Sequence, residues 1–151
     1  MRPLAYLAAR LGLGALFLVA GALKLRDPYA FALEIANYQL FPALAPWLAA
    51  ALPATEIVVG VALVAGPRPW ARAGALAAAL LLGAFTVAAT SAVVRGVNIS
   101  CGCFGADSGP VTWLTVARDV GLVALALWVY ARPEPLPRWP SRRPGAASAA
   151  R

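Results

Sequence analysis

Four long apolar runs limit what this chain can fold into. They cover residues 4–23, 46–66, 71–94 and 111–131. Each is about 20 residues long, which is the length that a helix needs to cross the hydrocarbon core of a bilayer. Unpaired backbone groups are too costly in lipid for anything but helices or closed barrels, so these runs are expected to be helices. The sequence therefore predicts an all-α protein, a four-helix transmembrane bundle.

The composition agrees with a membrane protein whose main partner is the lipid bilayer. The chain is 62% hydrophobic and 13% charged, whereas a soluble domain is nearer half apolar and a quarter charged. The net charge of +7 does not indicate nucleic-acid binding, because many arginines flank apolar runs or lie in the tail. Histidine is absent, which excludes histidine-based zinc sites and histidine general bases.

The first run has an alternative interpretation as a cleavable signal peptide. Ala20-Gly21-Ala22 is a plausible small-residue cleavage site. However, Arg10 interrupts the apolar region and three further spans follow. We therefore expect the first run to be a retained span.

Two segments differ from the spans. After Asp27-Pro28, partly helical spacing of apolar and aromatic residues predicts a short helix between spans one and two, with Asp27 as its cap and Pro28 at its first position. Its tyrosines favour the membrane interface. Residues 133–151 are rich in Pro and Arg without an apolar period, which predicts a disordered cytoplasmic tail after a membrane domain of residues 1–132.

The distribution of positive charge predicts the orientation. With four spans, the termini and the second loop share one side, and that side carries Arg2, Arg68, Arg72, Arg132, Arg138, Arg142, Arg143 and Arg151. The opposite side carries Lys24, Arg26 and Arg95. The positive-inside rule then places both termini in the cytoplasm of a cell (inner) membrane protein. The loop between spans three and four would face the exterior.

That outer loop holds the two cysteines of the chain, Cys101 and Cys103. An extracytoplasmic compartment is where disulfides form and persist. A Cys-x-Cys disulfide closes a smaller ring than Cys-x-x-Cys, and the strain should make it easier to reduce. Arg95, if close, would favour the reactive thiolate. We interpret the pair as redox-active; a structural disulfide and two-coordinate binding of a soft metal such as Cu(I) are the alternatives.

Charged residues inside the spans are the second candidate feature. Such charges are costly in a membrane and usually face the bundle interior with a partner. Residue counting places Glu56 and Arg118 about one helical turn apart in depth, so we expect Arg118, or alternatively Arg10, to pair with Glu56. Asp119 is expected to point away from Arg118, because adjacent helical residues do not share a face. These charged residues would either fix the order of the helices or form a proton or quinone site beneath the thiol loop.

Several of these motifs together resemble the MauE family of methylamine utilisation proteins, which is related to DoxX-like proteins. The resemblance runs from about residue 4 to 131, and CGCFG after a third span is its most specific motif. It is carried by the segment FLVAGALKLRDP at residues 17–28, by Tyr38, by Leu40-Phe41-Pro42, by Pro53 and Glu56, and by CGCFG at residues 101–105.

The resemblance implies a four-helix membrane protein that acts in maturation of the disulfide-rich small subunit of methylamine dehydrogenase. It implies Cys101 and Cys103 as the matching thiols, Lys24 and Glu56 as further motif residues, and a thioredoxin-like extracytoplasmic partner.

The sequence leads to three alternative functions. The first is a membrane thiol–disulfide oxidoreductase that acts on a disulfide-containing client, with quinone as a candidate cofactor. The second is a non-enzymatic assembly factor, or a DoxX-like subunit of a quinone-linked complex. The third, a small-solute transporter, is disfavoured by four short spans without an internal repeat. A single thiol pair would have to exchange directly with quinone or with a partner.

Overall fold

Five α-helices and one 3₁₀ turn make up the part of the chain that the structure, a computed structural model, describes: residues 2–97, 99 and 109–132. In chain order they are α1 (Arg2–Arg26), α2 (Pro28–Asn37), the 3₁₀ turn (Pro42–Leu44), α3 (Ala45–Val64), α4 (Arg68–Val94) and α5 (Trp113–Ala131). The predicted thiol pair and the predicted tail of residues 133–151 lie outside the described residues.

Four of the helical segments are long and apolar enough to cross a membrane. They are Leu4–Arg26, Pro42–Val64, Arg68–Val94 and Trp113–Ala131. The prediction of an all-α four-helix transmembrane bundle is confirmed, with helix ends displaced by a few residues from the ends of the apolar runs. The difference that matters for the site is at α1, which continues through Lys24 to Arg26.

The short helix after the first span is also confirmed. The side chain of Asp27 accepts a hydrogen bond from the backbone N–H of Ala30 at 2.9 Å, and Pro28 occupies the first turn of α2. The cap satisfies one of the amide groups that a helix start leaves without an intrahelical acceptor. Phe31 is the buried residue of α2. This helix packs against α3.

Two tight helix pairs build the bundle. α1 packs along α3, α4 packs along α5, and α3 joins the two pairs by contacting α4. Leucine, valine and phenylalanine fill the centre from α1, α3 and α5, while α4 contributes mainly alanine. The buried core consists of Leu13, Phe17, Val59, Leu63, Ala75, Ala78, Ala79, Leu82, Ala126 and Val129.

The α1–α3 contact depends on two glycines. A Cβ atom at Gly14 would lie 2.6 Å from Cγ2 of Val64 and 3.2 Å from the carbonyl oxygen of Gly60. A Cβ atom at Gly60 would lie 3.0 Å from the carbonyl oxygen of Gly14. The backbones therefore approach too closely for a larger residue on either side. Small residues commonly permit such approaches between helices in lipid.

Candidate functional site

A buried lysine on α1 is the centre of the charged site. Only 2% of Lys24 is exposed, and its Nζ donates a hydrogen bond to Oε1 of Glu56 on α3, which is 1% exposed. Lys24 was expected at the membrane surface because the apolar run ends one residue before it. Instead α1 continues, and α2 lies beside the end of α1, so the ammonium group is enclosed. A charge in this position needs a partner, and Glu56 supplies it.

Two aromatic rings complete the surroundings of the ammonium group. The Lys24 Nζ lies 5.2 Å from the ring centroid of Phe31 on α2 and 5.2 Å from that of Phe85 on α4. The faces of aromatic rings carry partial negative charge and attract cations within about 6 Å. Lys24 is thus contacted by side chains from α2, α3 and α4, so it ties three helices to α1.

A second carboxylate, Glu34 on α2, lies near Lys24. Its Oε2 is buried and has no hydrogen-bond partner among the described residues. Burial raises the pKa of Glu34 above its usual value, and the nearby charge of Lys24 offsets only part of this rise. A carboxyl group with a raised pKa is protonated at a higher pH than an exposed glutamate. Glu34 is therefore better suited than an exposed glutamate to take up a proton.

An apolar cavity of about 270 Å³ opens beside Lys24 and Glu34. Its walls come from α2, α3 and α4 and from the segment that joins α2 to α3. Most of the wall is aliphatic or aromatic, and Lys24 and Glu34 are its charged members. The remaining lining residues are Phe31, Ile35, Tyr38, Leu40, Phe41, Leu48, Leu52, Ala84, Phe85, Ala88 and Ala89.

A much smaller pocket, of about 30 Å³, lies on the other side of Lys24. Its polar lining consists of Lys24, Glu56, Arg118 and Asp119. Asp119 is 2% exposed, and its Oδ1 accepts hydrogen bonds from Nε of Arg118 at 3.0 Å and from a terminal nitrogen of the same guanidinium at 2.8 Å. The second carboxylate oxygens of Glu56 and Asp119 are buried without a hydrogen-bond partner among the described residues.

The expected partners of Glu56 were wrong. The carboxylate pairs with Lys24, while Arg118 pairs with the neighbouring Asp119. Counting residues from the span ends did not locate Lys24 inside the bundle. The expectation that Asp119 points away from Arg118 was wrong because the long arginine side chain turns back to reach its neighbour. The arginine remains 43% exposed, so its stem follows the protein surface.

Arg10 has a different role from the predicted alternative. Its Nε donates to the carbonyl oxygen of Leu63 at 2.5 Å, and a terminal nitrogen donates to that of Gly66 at 2.6 Å. Both carbonyl groups lie at the C-terminal end of α3, where helix carbonyls lack intrahelical donors and the helix dipole favours a cation. Arg10 thus caps α3 from the neighbouring helix and lies far along α1 from Lys24.

One described end of the predicted thiol loop, at Arg95, lies next to the cavity. Arg95, directly after α4, donates to the carbonyl oxygen of Tyr38 at 2.5 Å, and Tyr38 lines the cavity. The backbone N–H of Val111 donates to the carbonyl oxygen of Ile99 at 2.9 Å, which pairs the two sides of the loop. Cys101 and Cys103 lie outside the described residues, so their predicted role, and the predicted effect of Arg95 on it, stay predictions.

Sequence reasoning missed three participants. Glu34, Phe31 and Phe85 had no assigned role. The spacing offered one usable signal: Phe31 and Glu34 are three residues apart and so share a face of α2. Phe85 lies in a long apolar helix where nothing in the sequence distinguishes a ring that contacts a lysine from an ordinary core ring.

Comparison with known proteins identifies one family for this chain. The sequence profile of the family described as methylamine utilisation protein MauE matches residues 2–132. The chain is 40% identical over 130 residues to a methylamine utilization protein MauE of Paracoccus denitrificans, which covers 84% of this chain and 69% of that protein. It is 36% identical over 146 residues to the protein of that name in Paracoccus versutus, which covers 95% and 74%. No solved structure gives a significant match.

Proposed function

Because the chain belongs to the MauE family of methylamine utilisation membrane proteins, we propose that it works as a membrane thiol–disulfide exchange protein in the maturation of a disulfide-containing extracytoplasmic client. Cys101 and Cys103 are the exchanging thiols. A thioredoxin-like protein is the proposed direct partner, and the small subunit of methylamine dehydrogenase is the proposed client.

The observation that carries this proposal is where the thiol-bearing segment joins the described bundle. Arg95 contacts the cavity residue Tyr38 at one side of the segment, and Ile99 pairs with Val111 across it. Cys101 follows Ile99 by two residues. The segment thus begins at the end of α4 where Arg95 contacts a cavity residue, which supports a role for its cysteines in the chemistry of this site.

In the proposed exchange, atoms and electrons balance between this protein and its partner. The thiolate of one cysteine attacks a partner disulfide, forms a mixed disulfide and releases one partner thiolate. The second cysteine then attacks its neighbour's sulfur, which forms the Cys101–Cys103 disulfide and releases the second partner thiolate. One protein dithiol is oxidised and one partner disulfide is reduced, with two electrons passed and the thiol protons taken up by the released thiolates. The reverse sequence uses the same steps.

The proposed orientation places both termini in the cytoplasm and the thiols outside. Lys24 does not count as an outer-loop charge because it is buried in the bundle, so the arginine bias toward the cytoplasmic side is stronger than the sequence indicated. After mild reduction, a membrane-impermeant maleimide should label Cys101 and Cys103 in intact spheroplasts. Labelling that requires rupture of the inner membrane would contradict this orientation.

Trapping the mixed disulfide tests the proposed exchange. In a Cys101→Ser or Cys103→Ser variant, loss of the resolving thiol should leave the partner covalently attached, whereas loss of the attacking thiol should abolish the adduct. We expect one single variant to give a strong adduct on a non-reducing gel, with a thioredoxin-like protein identified by mass. The double variant is the matched control and should give none.

The same strains separate exchange from a role in assembly alone. If neither single variant traps a partner and the double variant still supports client maturation, the thiols are not used for exchange. The protein would then be a non-enzymatic assembly factor that holds its client by other surfaces. Loss of maturation in the double variant, together with an adduct in one single variant, supports the proposed function.

A further inference from the structure

The large cavity has a chemical character that narrows what it can hold. Its wall is almost entirely apolar, and several of its residues lie on membrane-spanning α3 and α4. At about 270 Å³ it is slightly smaller than the roughly 300–1,000 Å³ of sites for drug-sized molecules. It therefore suits one ring-sized group, with any longer chain leaving through the open side. A ligand at this depth would enter from the bilayer.

The polar groups that line the cavity indicate which functional group a bound ring would carry. Lys24 has three N–H donors, and one of them is used by Glu56. Glu34 adds a buried carboxyl oxygen that has no partner among the described residues. A hydrocarbon chain would leave both groups without new partners. A carboxylate ligand would be repelled by the Glu56 carboxylate beside Lys24, and a cation would be repelled by Lys24. A neutral ring with an oxygen acceptor fits all three groups.

The small pocket has room for a bound water beside Lys24. Its volume of about 30 Å³ is enough for one water molecule, and the carboxylate oxygens of Glu56 and Asp119 that have no hydrogen-bond partner among the described residues are available to bind it. Lys24 lines both this pocket and the large cavity. Lys24 thus contacts both spaces, and the small pocket also borders the half-exposed Arg118.

We propose that the large cavity binds the headgroup of an isoprenoid quinone drawn from the bilayer, with Lys24 donating a hydrogen bond to one of its carbonyl oxygens. The flat ring packs among Phe31, Phe85 and Tyr38, and the isoprenoid tail leaves through the open side into lipid. The Glu34 carboxyl group lines the same cavity, and burial raises its pKa above the usual value.

This inference rests on the proposed thiol function and names its electron partner. Two thiols and one quinone give one disulfide and one hydroquinone. The sulfur–sulfur bond forms, two S–H bonds are lost, and the two electrons and two protons reduce the quinone carbonyls to hydroxyl groups. No other oxidant is required. A single Cys-x-Cys pair can therefore be reoxidised without a second relay pair of cysteines.

Binding of decylubiquinone to the full chain in lipid nanodiscs tests the cavity. Ala88→Trp and Ala84→Trp each place a large ring in the cavity, and Val87→Trp is the matched control because Val87 on the same helix is 70% exposed and lies outside the lining. We expect saturable binding by the unmodified protein and by Val87→Trp, and at least tenfold weaker binding by the folded cavity variants. Lys24→Gln should also weaken binding. Farnesol, an isoprenoid without a quinone ring, should not compete.

Equal affinity in the unmodified protein, both cavity variants and Val87→Trp would overturn the proposal, and so would full competition by farnesol, which would identify a site for lipid chains. The variant that lacks both thiols keeps the two ideas separable. It should bind decylubiquinone normally but fail to reduce it. If the unmodified protein binds the quinone without reducing it, the binding site stands and the electron transfer from the thiols to the quinone fails; partner trapping then still decides the thiol exchange. If the thiols trap a partner but no quinone binds, the thiol exchange stands and the quinone site fails.

Discussion

Replacing Lys24 with methionine is expected to destabilise the protein by about 3–5 kcal/mol, the usual cost of removing one partner from a buried ion pair. Methionine keeps much of the side-chain volume but leaves the Glu56 carboxylate enclosed without its cation. The contacts of the ammonium group with Phe31 and Phe85 are lost as well. Thermal unfolding in detergent and the yield of monodisperse protein are the measurements.

Further variants serve as controls for the Lys24→Met prediction. Arg26→Met removes an exposed cation two residues away on the same helix and should change stability little. Glu56→Gln should cost less than Lys24→Met, because the two rings still face the ammonium group. The double variant Lys24→Met, Glu56→Gln should recover part of the loss, since no charge is then left unpaired. Additive losses in the two single variants would contradict the pairing.

Replacing Gly14 with leucine is expected to be the next most disruptive change. Even a Cβ atom at this position would lie 2.6 Å from Val64 and 3.2 Å from the backbone oxygen of Gly60, so α1 and α3 would have to separate. Overpacking of this kind typically costs about 1–3 kcal/mol. Because α1 carries Lys24, the separation should also disturb its contact with Glu56 on α3.

Gly12 provides a matched control on the same helix. A Cβ atom there meets nothing within 4 Å, and the residue is exposed. Gly12→Leu makes the same chemical change and gains the same helix propensity, which is about 0.8–1.0 kcal/mol relative to glycine. It should leave the unfolding temperature unchanged or raise it. Equal losses in the two variants would show that the α1–α3 contact does not depend on the close approach at Gly14.

The sequence predicted the helices because their signals are local. Apolar length fixed the four spans, and Asp27-Pro28 fixed the start of α2 through capping and a preset backbone angle. These features depend on neighbouring residues alone. The predicted and observed α-helices therefore differ only at their ends, and the 3₁₀ turn at Pro42–Leu44 was not predicted.

The partners of the charged residues were not predictable by the same reasoning. Depth was counted along ideal spans, and Lys24 was placed outside the first span because its apolar run ends at Leu23. The enclosure of Lys24 requires α1 to continue and α2 to lie beside it, which are tertiary features. Glu56 was correctly expected to have a basic partner, but its identity depended on that packing. The contact between Arg118 and Asp119 depended on side-chain flexibility that a helical face diagram omits.

The buried charges and the thiols have complementary parts in this account. The Lys24–Glu56 pair and the contacts of Lys24 with Phe31 and Phe85 join four helices, and Lys24 lines the cavity. The predicted chemistry resides in Cys101 and Cys103. Changes at the ion pair should therefore reduce folded yield, and changes at the thiols should reduce client maturation without reducing folded yield. Comparing membrane-extracted protein levels with client maturation in the same cells separates the two effects.

The redox state of Cys101 and Cys103 in growing cells tests the central claim most directly. Cells are quenched with acid and free thiols are alkylated. The mass of the protein is then measured by mass spectrometry before and after reduction. A working exchange protein should show both a doubly alkylated and an unalkylated population, and loss of its thioredoxin-like partner should shift their ratio. A single fully oxidised population, unchanged without the partner and resistant to mild reduction, would contradict thiol exchange and identify a structural disulfide.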